Sequence, residues 1–357
     1  MIVVPGDLLE GGGQILRVSA AFSAVTGNAI RVTNVRAKRS NPGLRAQHLN
    51  AVQAVAKLTS ARTAGLQIGS KEVEIAPGPP KAGNFQVDVG TAGSTSLVLQ
   101  ALMPAMAFAP GKVLVEVKGG TNNPQAPAID FLQNVLLKTL SRMGLKASIE
   151  LIRRGFYPRG QGIVRASTEP VKALSPLKLT DFGHVTKIHG LSYSSRLPPH
   201  IVTRMAKTAE QTLREASYQN VEIELECLGP GDRRCAVNPG CGIILFAELS
   251  SGAVMGADGL GEVGKPAERV GKETALDLLK QLRSGAPVDK HLGDQLIVWA
   301  SLAGGESILR VSELTLHTLT CVEVSQRIVG AKIEIKGEMG SPSTIMCQGV
   351  GLTNRWI

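Results

Sequence analysis

The chain of 357 residues can hold one large domain or two ordinary ones, and with 43% hydrophobic residues it can bury a sizeable core. Lysine and arginine number 39 against 29 acidic residues, a formal charge of +10 that suits a polyanionic partner such as RNA or a nucleotide. Aromatics at 3% argue against rows of stacked bases as the main mode of nucleic-acid binding.

Five widely spaced cysteines, with no CxxC pair, speak against a zinc site and for a reducing compartment. The N-terminus, Met1-Ile2-Val3-Val4-Pro5-Gly6-Asp7, lacks a basic leader followed by an apolar run. The longest apolar stretch, about 97–109, is too short to cross a bilayer. A cytoplasmic protein with no membrane partner is expected; the oligomeric state stays open.

In chain order, one unit recurs three times: a turn, an apolar helix, a strand, a polar loop and a second helix. In the first copy, Glu10-Gly11-Gly12-Gly13-Gln14 opens a helix with Ile15, Val18, Phe22 and Val25 on one face. Strand 30–35 follows, then a basic loop, 36–45, and a helix carrying Leu49, Val52, Val55 and Leu58. In the second, Gly90-Thr91-Ala92-Gly93-Ser94 opens a helix to about Phe108, with a kink expected at Pro104. Strand 113–117, loop 119–127 and a helix with Leu132, Val135, Leu136 and Leu140 complete it.

The third copy has a helix at about 291–303, a strand at 308–312 and a loop holding His317. Its last helix is expected from about Thr320 to Val329, because Thr320-x-x-Glu323 is a capping-box pattern. The interval from the second to the third strand is more than twice that from the first to the second, so an insertion is expected. It starts near Asp181, carries an amphipathic helix (about 201–217), strands at 221–226 and 242–250 and a helix at 267–283, and returns at Gly285 and Pro287. The fold class is therefore α/β (α+β): a large domain of repeated βα units over residues 1–181 and 287–357, and a small α/β domain over 182–286.

His317 lies close to a helix start, where free N–H groups and the dipole attract anions; it reads either as a nucleophile towards phosphorus or as a structural histidine. The three glycines after Glu10 let a ligand approach the backbone, and Glu10 can ligate Mg²⁺ or Mn²⁺ there, or simply face solvent from a tight turn. Arg17 adds charge one turn into the helix. Arg36, Lys38, Arg39, Arg45, Gln47 and His48 form either a phosphate-binding cluster or a solvated charge run. Asp294 and Gln295 are polar in an apolar helix and can read a ribose or base, or mark ordinary helix-start polarity. His184, His189 and His200 have no partners and read as structural or surface residues.

Gly259-Leu260-Gly261-Glu262-Val263-Gly264-Lys265-Pro266 nearly matches a P-loop, but Pro266 stands where magnesium needs Ser or Thr. No clean apolar strand precedes it, and it reads as a loop leading into a helix. Nucleotide binding through a P-loop is not expected. No GxSxG or HExxH pattern is present.

Taken together, several blocks resemble the RNA 3′-terminal phosphate cyclase family, essentially end to end. They are Glu10-Gly11-Gly12-Gly13-Gln14-Ile15-Leu16-Arg17, Arg36-Ala37-Lys38-Arg39-Ser40-Asn41-Pro42-Gly43-Leu44 and Gln47-His48-Leu49. Further along come Gly119-Gly120-Thr121-Asn122-Asn123-Pro124, Gly155-Phe156-Tyr157-Pro158-Arg159-Gly160, His291-Leu292-Gly293-Asp294-Gln295 and Leu316-His317-Thr318-Leu319-Thr320.

The resemblance implies an architecture akin to the enolpyruvyl transferases, with a smaller inserted domain. It implies the reaction of an RNA 3′-phosphate end with ATP to give a 2′,3′-cyclic phosphate, AMP and pyrophosphate. His317 matches the nucleophile that carries AMP, and Glu10 the metal-binding carboxylate for Mg²⁺ or Mn²⁺. Arg17, Arg36 and Arg39 match phosphate-charge stabilisers, with Gln47 and His48 in the same phosphate-binding block. Gln100, Pro127, Asp294 and Gln295 match positions near AMP, and His291 stands where some members place an aromatic ring over adenine. Gln161 departs from the family, which has a small residue there.

Two rivals share the fold class. Cyclase-like proteins of ribosome biogenesis lack the nucleophile, and the presence of His317, Glu10 and the arginines argues against them here. An enolpyruvyl-type transferase predicts no covalent nucleotide and no dependence on RNA.

Overall fold

In the computed structural model, which describes residues 1–90 and 92–357, the mixed α/β class is evident in four four-stranded sheets among the described residues. Three of them share one topology. The first comprises β1 (Ile2–Pro5), α1 (Gly13–Thr26), β2 (Ile30–Thr33), α2 (Ala46–Thr59), β3 (Arg62–Ala64) and β4 (Val73–Ala76). β1 and β2 run parallel, β4 lies antiparallel beside β2, and β3 forms the far edge. A parallel pair needs a crossover, which α1 supplies.

The second repeats this order: β5 (Gly83–Asp88), α3 (Thr95–Ala107), β6 (Val113–Gly119), α4 (Ile129–Phe131), a π turn (Leu132–Leu136), α5 (Leu137–Ser141), β7 (Ala147–Arg153) and β8 (Gly162–Thr168). The third begins with β9 (Lys178–Leu179). Before it continues, the chain builds the fourth sheet from β10 (Val185–Ser195), α6 (His200–Glu215), β11 (Val221–Leu228), β12 (Gly240–Leu249) and β13 (Val254–Leu260), followed by α7 (Ala267–Leu282). It then returns through α8 (Lys290–Leu302), β14 (Gly304–Val311), α9 (Leu316–Val329), β15 (Lys332–Lys336) and β16 (Ser343–Val350). β14 pairs in parallel with β9 across the intervening segment.

The sheets wrap a helical centre. α3 is buried along nearly its whole length, and α1 packs against α2, α3 and α9 while α8 packs against α9. β6 and β8 alternate inward Val113, Val115, Val117, Val164 and Ala166 with an outer face on which Arg165 pairs Glu116 at 3.2 Å. That alternation is what a sheet covered on one side requires. Each buried aliphatic contributes on the order of 1.5–3 kcal/mol.

The expected helices are present. α3 runs through Pro104, which cannot donate a hydrogen bond to the Gln100 carbonyl. Strands β1, β3, β4, β5, β7, β8, β9, β10, β13, β15 and β16 went unread or were only loosely placed. The capping-box assignment is corrected: Thr315, extended at φ −96°, ψ 159°, caps α9 by accepting from the Thr318 N–H. Thr320 lies one turn inside, its hydroxyl donating to the Leu316 carbonyl, and Glu323 faces Arg327. His317 is therefore in the first turn of α9 rather than before it. In the Gly90–Ser94 turn, Thr91 lies outside the described residues.

Each repeat braces its loop in the same way. The tip between β3 and β4 bonds the first basic loop through Val35 N–H to Lys71 O and Leu44 N–H to Ser70 O. The β7–β8 tip bonds the 119–127 loop through Thr121 N–H to Gly155 O at 2.9 Å. The β15–β16 tip bonds the His317 loop through Leu314 N–H to Ser341 O.

A buried ion cluster ties the fourth sheet to the second repeat. Arg154, fully buried, donates to Asp130 at 3.0 and 3.2 Å, to Glu226 of β11 at 2.5 Å and to Asn122 at 3.3 Å. Its guanidinium lies 4.1 Å over the ring of Tyr193 in β10, whose hydroxyl accepts from Asn122. Burial alone would raise the Asp130 pKa; the Arg154 charge and hydrogen bonds reverse this and hold it low. Removing Arg154 leaves the buried Asp130 carboxylate without a cation and Glu226 with Arg234 alone. Arg154→Ala should lose about 3–5 kcal/mol in urea unfolding, and a loss under 1 kcal/mol would mean that water already enters the cluster.

Candidate active site

The N-termini of α1, α3, α8 and α9 meet at an open cleft of about 500 Å³, lined among others by Gln14 and Arg17 of α1, Leu97 and Gln100 of α3, Asp294 and Gln295 of α8, and His317 of α9. Several helix starts aimed at one space make it receptive to anions. Loop 123–127, including Pro127, forms another wall.

Gln14 is the joint of the site. Its amide nitrogen donates to Asp294 at 2.7 Å and to the Cys321 thiol at 3.2 Å. Its carbonyl oxygen is thereby turned to His317 Nδ1, 2.9 Å away. An amide oxygen only accepts, so Nδ1 carries the proton and Nε2 keeps its lone pair. The His317 side chain is 55% exposed. Desolvation by its neighbours lowers its pKa below the ordinary histidine value; Asp294 opposes this, and Arg17 and Arg39 reinforce it. Burial raises the carboxyl of Asp294 in turn, against the pull of His317 and Arg17.

Glu10 sits under the same histidine. One carboxylate oxygen is held by Arg39; the other is buried, has no hydrogen-bond partner among the described residues and lies 3.4 Å from His317 Nδ1. Arg17 is half-buried, lines the cleft beside Asp294 and makes no hydrogen bond or ion pair among the described residues. A cation in that condition is a ready partner for phosphate. Among the described residues, no group of three or more His, Cys, Asp or Glu is arranged to hold a metal ion.

The basic loop is divided in its work. Arg36, at φ 55°, donates to the Asn41 and Gly43 carbonyls at 2.7 and 3.0 Å and so shapes its own loop. Lys38 reaches the Leu9 carbonyl at 2.9 Å, pinning the loop to the glycine turn. Arg39 alone of these reaches the Glu10 carboxylate.

His48, expected beside substrate phosphate, is 4% exposed and lies behind Gly13, where any Cβ would collide with its ring. Gln47 contacts that ring at 3.3 Å and does not line the cleft. Burial first, then Arg17, Arg36 and Arg39, push the His48 pKa down to about 3.

Gln100, Pro127, His291, Asp294 and Gln295 all line the cleft. The buried Oε1 of Gln295 has no partner among the described residues, while its Nε2 donates to the His291 carbonyl. The His291 ring stands edge-on to Phe131 at 6.4 Å. Gln161 sits at φ 61°, a left-handed angle that costs a residue with a side chain about 1–2 kcal/mol. Both Nε and Nη2 of Arg153 grip its carbonyl. Away from the cleft, His189 lies half-buried 3.4 Å from Glu248, and His184 and His200 are exposed.

One wall was not foreseen. Asp258, Leu260, Glu262 and Lys265, from the near-P-loop segment, also face the cleft. A strand, β13, does precede that segment, contrary to the reading from sequence, and Asp289 joins it to α8 by accepting from the Gly256, His291 and Leu292 N–H groups. Asp258 is pushed up to about 7 by burial and by Asp130 and Asp277.

The family model for the RNA 3′-terminal phosphate cyclases matches residues 8–335. The chain belongs to that family. Curated relatives named RNA 3′-terminal phosphate cyclase include one from Ignicoccus hospitalis, 44% identical over 98% of this chain and 99% of that protein. Another, from Hyperthermus butylicus, is 46% identical over 94% of this chain and 93% of its own length, and one from Pyrococcus furiosus is 42% identical over 97% and 98%. ATP-dependent cyclisation of RNA 3′-phosphate ends is the family activity. A solved structure, the enolpyruvyl transferase NikO from Streptomyces tendae, aligns at a TM-score of 0.39 and 10% identity over 98% of this chain and 48% of that one, a likeness too distant to argue from.

The buried His48 makes a stability prediction. Its folded pKa lies below the unfolded value, so only the unfolded chain takes up a proton as pH falls below about 6.5. The stability is present above that pH and drains away towards pH 3. Between pH 7.5 and 5, wild type should lose roughly 2 kcal/mol more than His48→Gln in urea unfolding. Parallel losses in both proteins would show that His48 does not titrate in this way.

Proposed function

We propose that this chain cyclises RNA 3′-phosphate ends through a covalent histidyl-AMP on His317 and an RNA-adenylate. The observation that carries the proposal is the Gln14 clamp, which accepts from Nδ1–H and so leaves Nε2 of a half-exposed imidazole as the nucleophile. Neutral His317 attacks the α-phosphate of ATP and pyrophosphate departs. The RNA 3′-phosphate then takes AMP from the histidine. The adjacent ribose 2′-OH, already held at bonding distance, closes on the activated phosphate and expels AMP.

The residues divide the work. Arg17 and Arg39 stabilise charge on the reacting phosphates. Arg36, Gln47 and His48 act behind them by holding the basic loop and the glycine turn. Gln100, Pro127, His291, Asp294 and Gln295 hold the nucleotide, the free Oε1 of Gln295 accepting from a ribose or base donor. The buried, unpartnered oxygen of Glu10 fits a hard cation, and Mg²⁺ or Mn²⁺ held there would neutralise phosphate charge.

The protein works in the cytoplasm, and no helix of the described residues is long and apolar enough to cross a membrane. Residues 1–181 and 287–357 form the large domain of repeated units, with 182–286 as a small α/β domain inserted in its third repeat.

Incubation with ATP labelled at the α-phosphate and Mg²⁺ or Mn²⁺, followed by denaturation, should leave an acid-labile, alkali-stable label on the protein. His317→Ala should abolish it, and an unlabelled wild type across several pH values would sink the covalent route. With a lowered His317 pKa, labelling should plateau at neutral pH and fall only as the imidazole protonates below the ordinary histidine range.

Arg39 is 44% exposed, so its loss should spare the fold. Arg39→Ala should cost roughly 100-fold in cyclisation rate, the scale for one charge-stabilising donor. Wild-type turnover in this variant would remove Arg39 from the chemistry.

A further inference from the structure

The β7–β8 tip carries a feature that the proposed chemistry does not use. Tyr157 is 74% exposed and its hydroxyl has no hydrogen-bond partner among the described residues. In a chain with so few aromatics, the other exposed ring is Trp356, over which Arg355 lies at 4.9 Å. Tyr157 has no such cover.

Its support is rigid. Phe156 is buried and stacks on Tyr193 at 6.2 Å, Gly160 N–H bonds Phe156 O at 2.8 Å, and Arg153 grips the Gln161 carbonyl. Arg159, two residues on, is exposed with no acidic or hydrogen-bonding partner among the described residues. Arg154 N–H bonds Arg234 O at 3.0 Å, and Arg233, the residue before it, is also exposed and has no acidic or hydrogen-bonding partner among the described residues.

The tip is joined to the cleft. Gly155 exchanges two hydrogen bonds with Thr121, at 2.9 and 3.0 Å, and Asn123, two residues further, lines the cleft wall. A bare ring with two exposed arginines on the same tip and the segment bonded to it, joined through Thr121 to a cleft loop, has the composition of a single-strand platform: a π face for a base and cations for the flanking phosphates.

We propose that Tyr157 stacks on a base of the RNA strand just 5′ of the terminal phosphate-bearing nucleotide, while Arg159 and Arg233 hold the backbone phosphates beside it. This rests on the reading of the cleft as a cyclase site. Stacking has no base preference of its own, so the platform would tether any strand and leave selection to the terminal phosphate.

Binding of a fluorescein-labelled RNA oligonucleotide ending in a 3′-phosphate, followed by anisotropy without ATP, reads the platform apart from the chemistry. Tyr157→Ala should weaken binding about five- to a hundredfold, and Tyr157→Phe should bind like wild type. With abasic riboses at the two positions before the terminal nucleotide, wild type and Tyr157→Ala should bind alike. Arg159→Ala should flatten the dependence of log K on log salt by about 0.7.

Labelling from α-labelled ATP should be unchanged in Tyr157→Ala; absent labelling in wild type counts against the histidyl route and leaves the binding comparison standing. Wild-type affinity in Tyr157→Ala, or an equal loss on the abasic strand, overturns the platform. So does a Tyr157→Ala variant that binds RNA normally but sediments differently, since the ring would then cover a protein contact.

Discussion

The parallel pairing of the first two strands in each of three sheets governs this molecule. Two parallel strands cannot be joined by a tight turn, so a helix must cross between them and start at the end where both strands finish. Three repetitions aim α1, α3 and α8 at one region. The second helix of each repeat follows the loop at that same end, which is how His317 of α9 comes to face Gln14 of α1 across 303 positions of sequence. The anion-receptive cleft is thus a consequence of topology, and the side chains refine what the backbone arrangement has already begun.

The fourth sheet adds a wall that the three repeats do not have. It is held by charge: Arg154 is fully buried among Asp130, Glu226 and Asn122, with Tyr193 beneath it. A dry ion cluster of this kind tolerates few geometries, because each displaced partner leaves another charge unpaired. Asp289 adds a second tie, taking backbone donors from β13 and from α8 at once. Together they set Asp258, Glu262 and Lys265 against the cleft.

What the sequence made legible follows from where the signal was strong. Helices with a continuous apolar face were readable, as were glycine turns placed directly before them. β9 is two residues long and β3 is exposed throughout, so neither carries an alternating pattern to detect. Thr320 and Glu323 imitated a capping box because the spacing of polar residues recurs within a helix; backbone angle decides the cap, and Thr315 has the extended one. His48 was read with the arginines around it, yet its small neighbour Gly13 draws the ring inward and out of solvent. The near-P-loop was dismissed as a phosphate loop, but its side chains reach the cleft by docking of a separate sheet, which local pattern cannot express.

Burial lowers the pKa of His317, and Gln14 sets its tautomer. A half-exposed imidazole can exist as either tautomer, and hydration would scramble the two. Gln14 removes the ambiguity because its nitrogen is engaged by Asp294 and Cys321, leaving only an acceptor to offer. A carboxylate in its place, directly on Nδ1, would favour the imidazolium and spoil the nucleophile. Placing a neutral amide between Asp294 and the ring keeps the orienting effect and mutes the charge. Glu10 is close enough to matter, with its free oxygen 3.4 Å from Nδ1, and Arg39 on the other oxygen offsets part of the carboxylate's charge. The histidine is thereby oriented by two acids without being protonated by either.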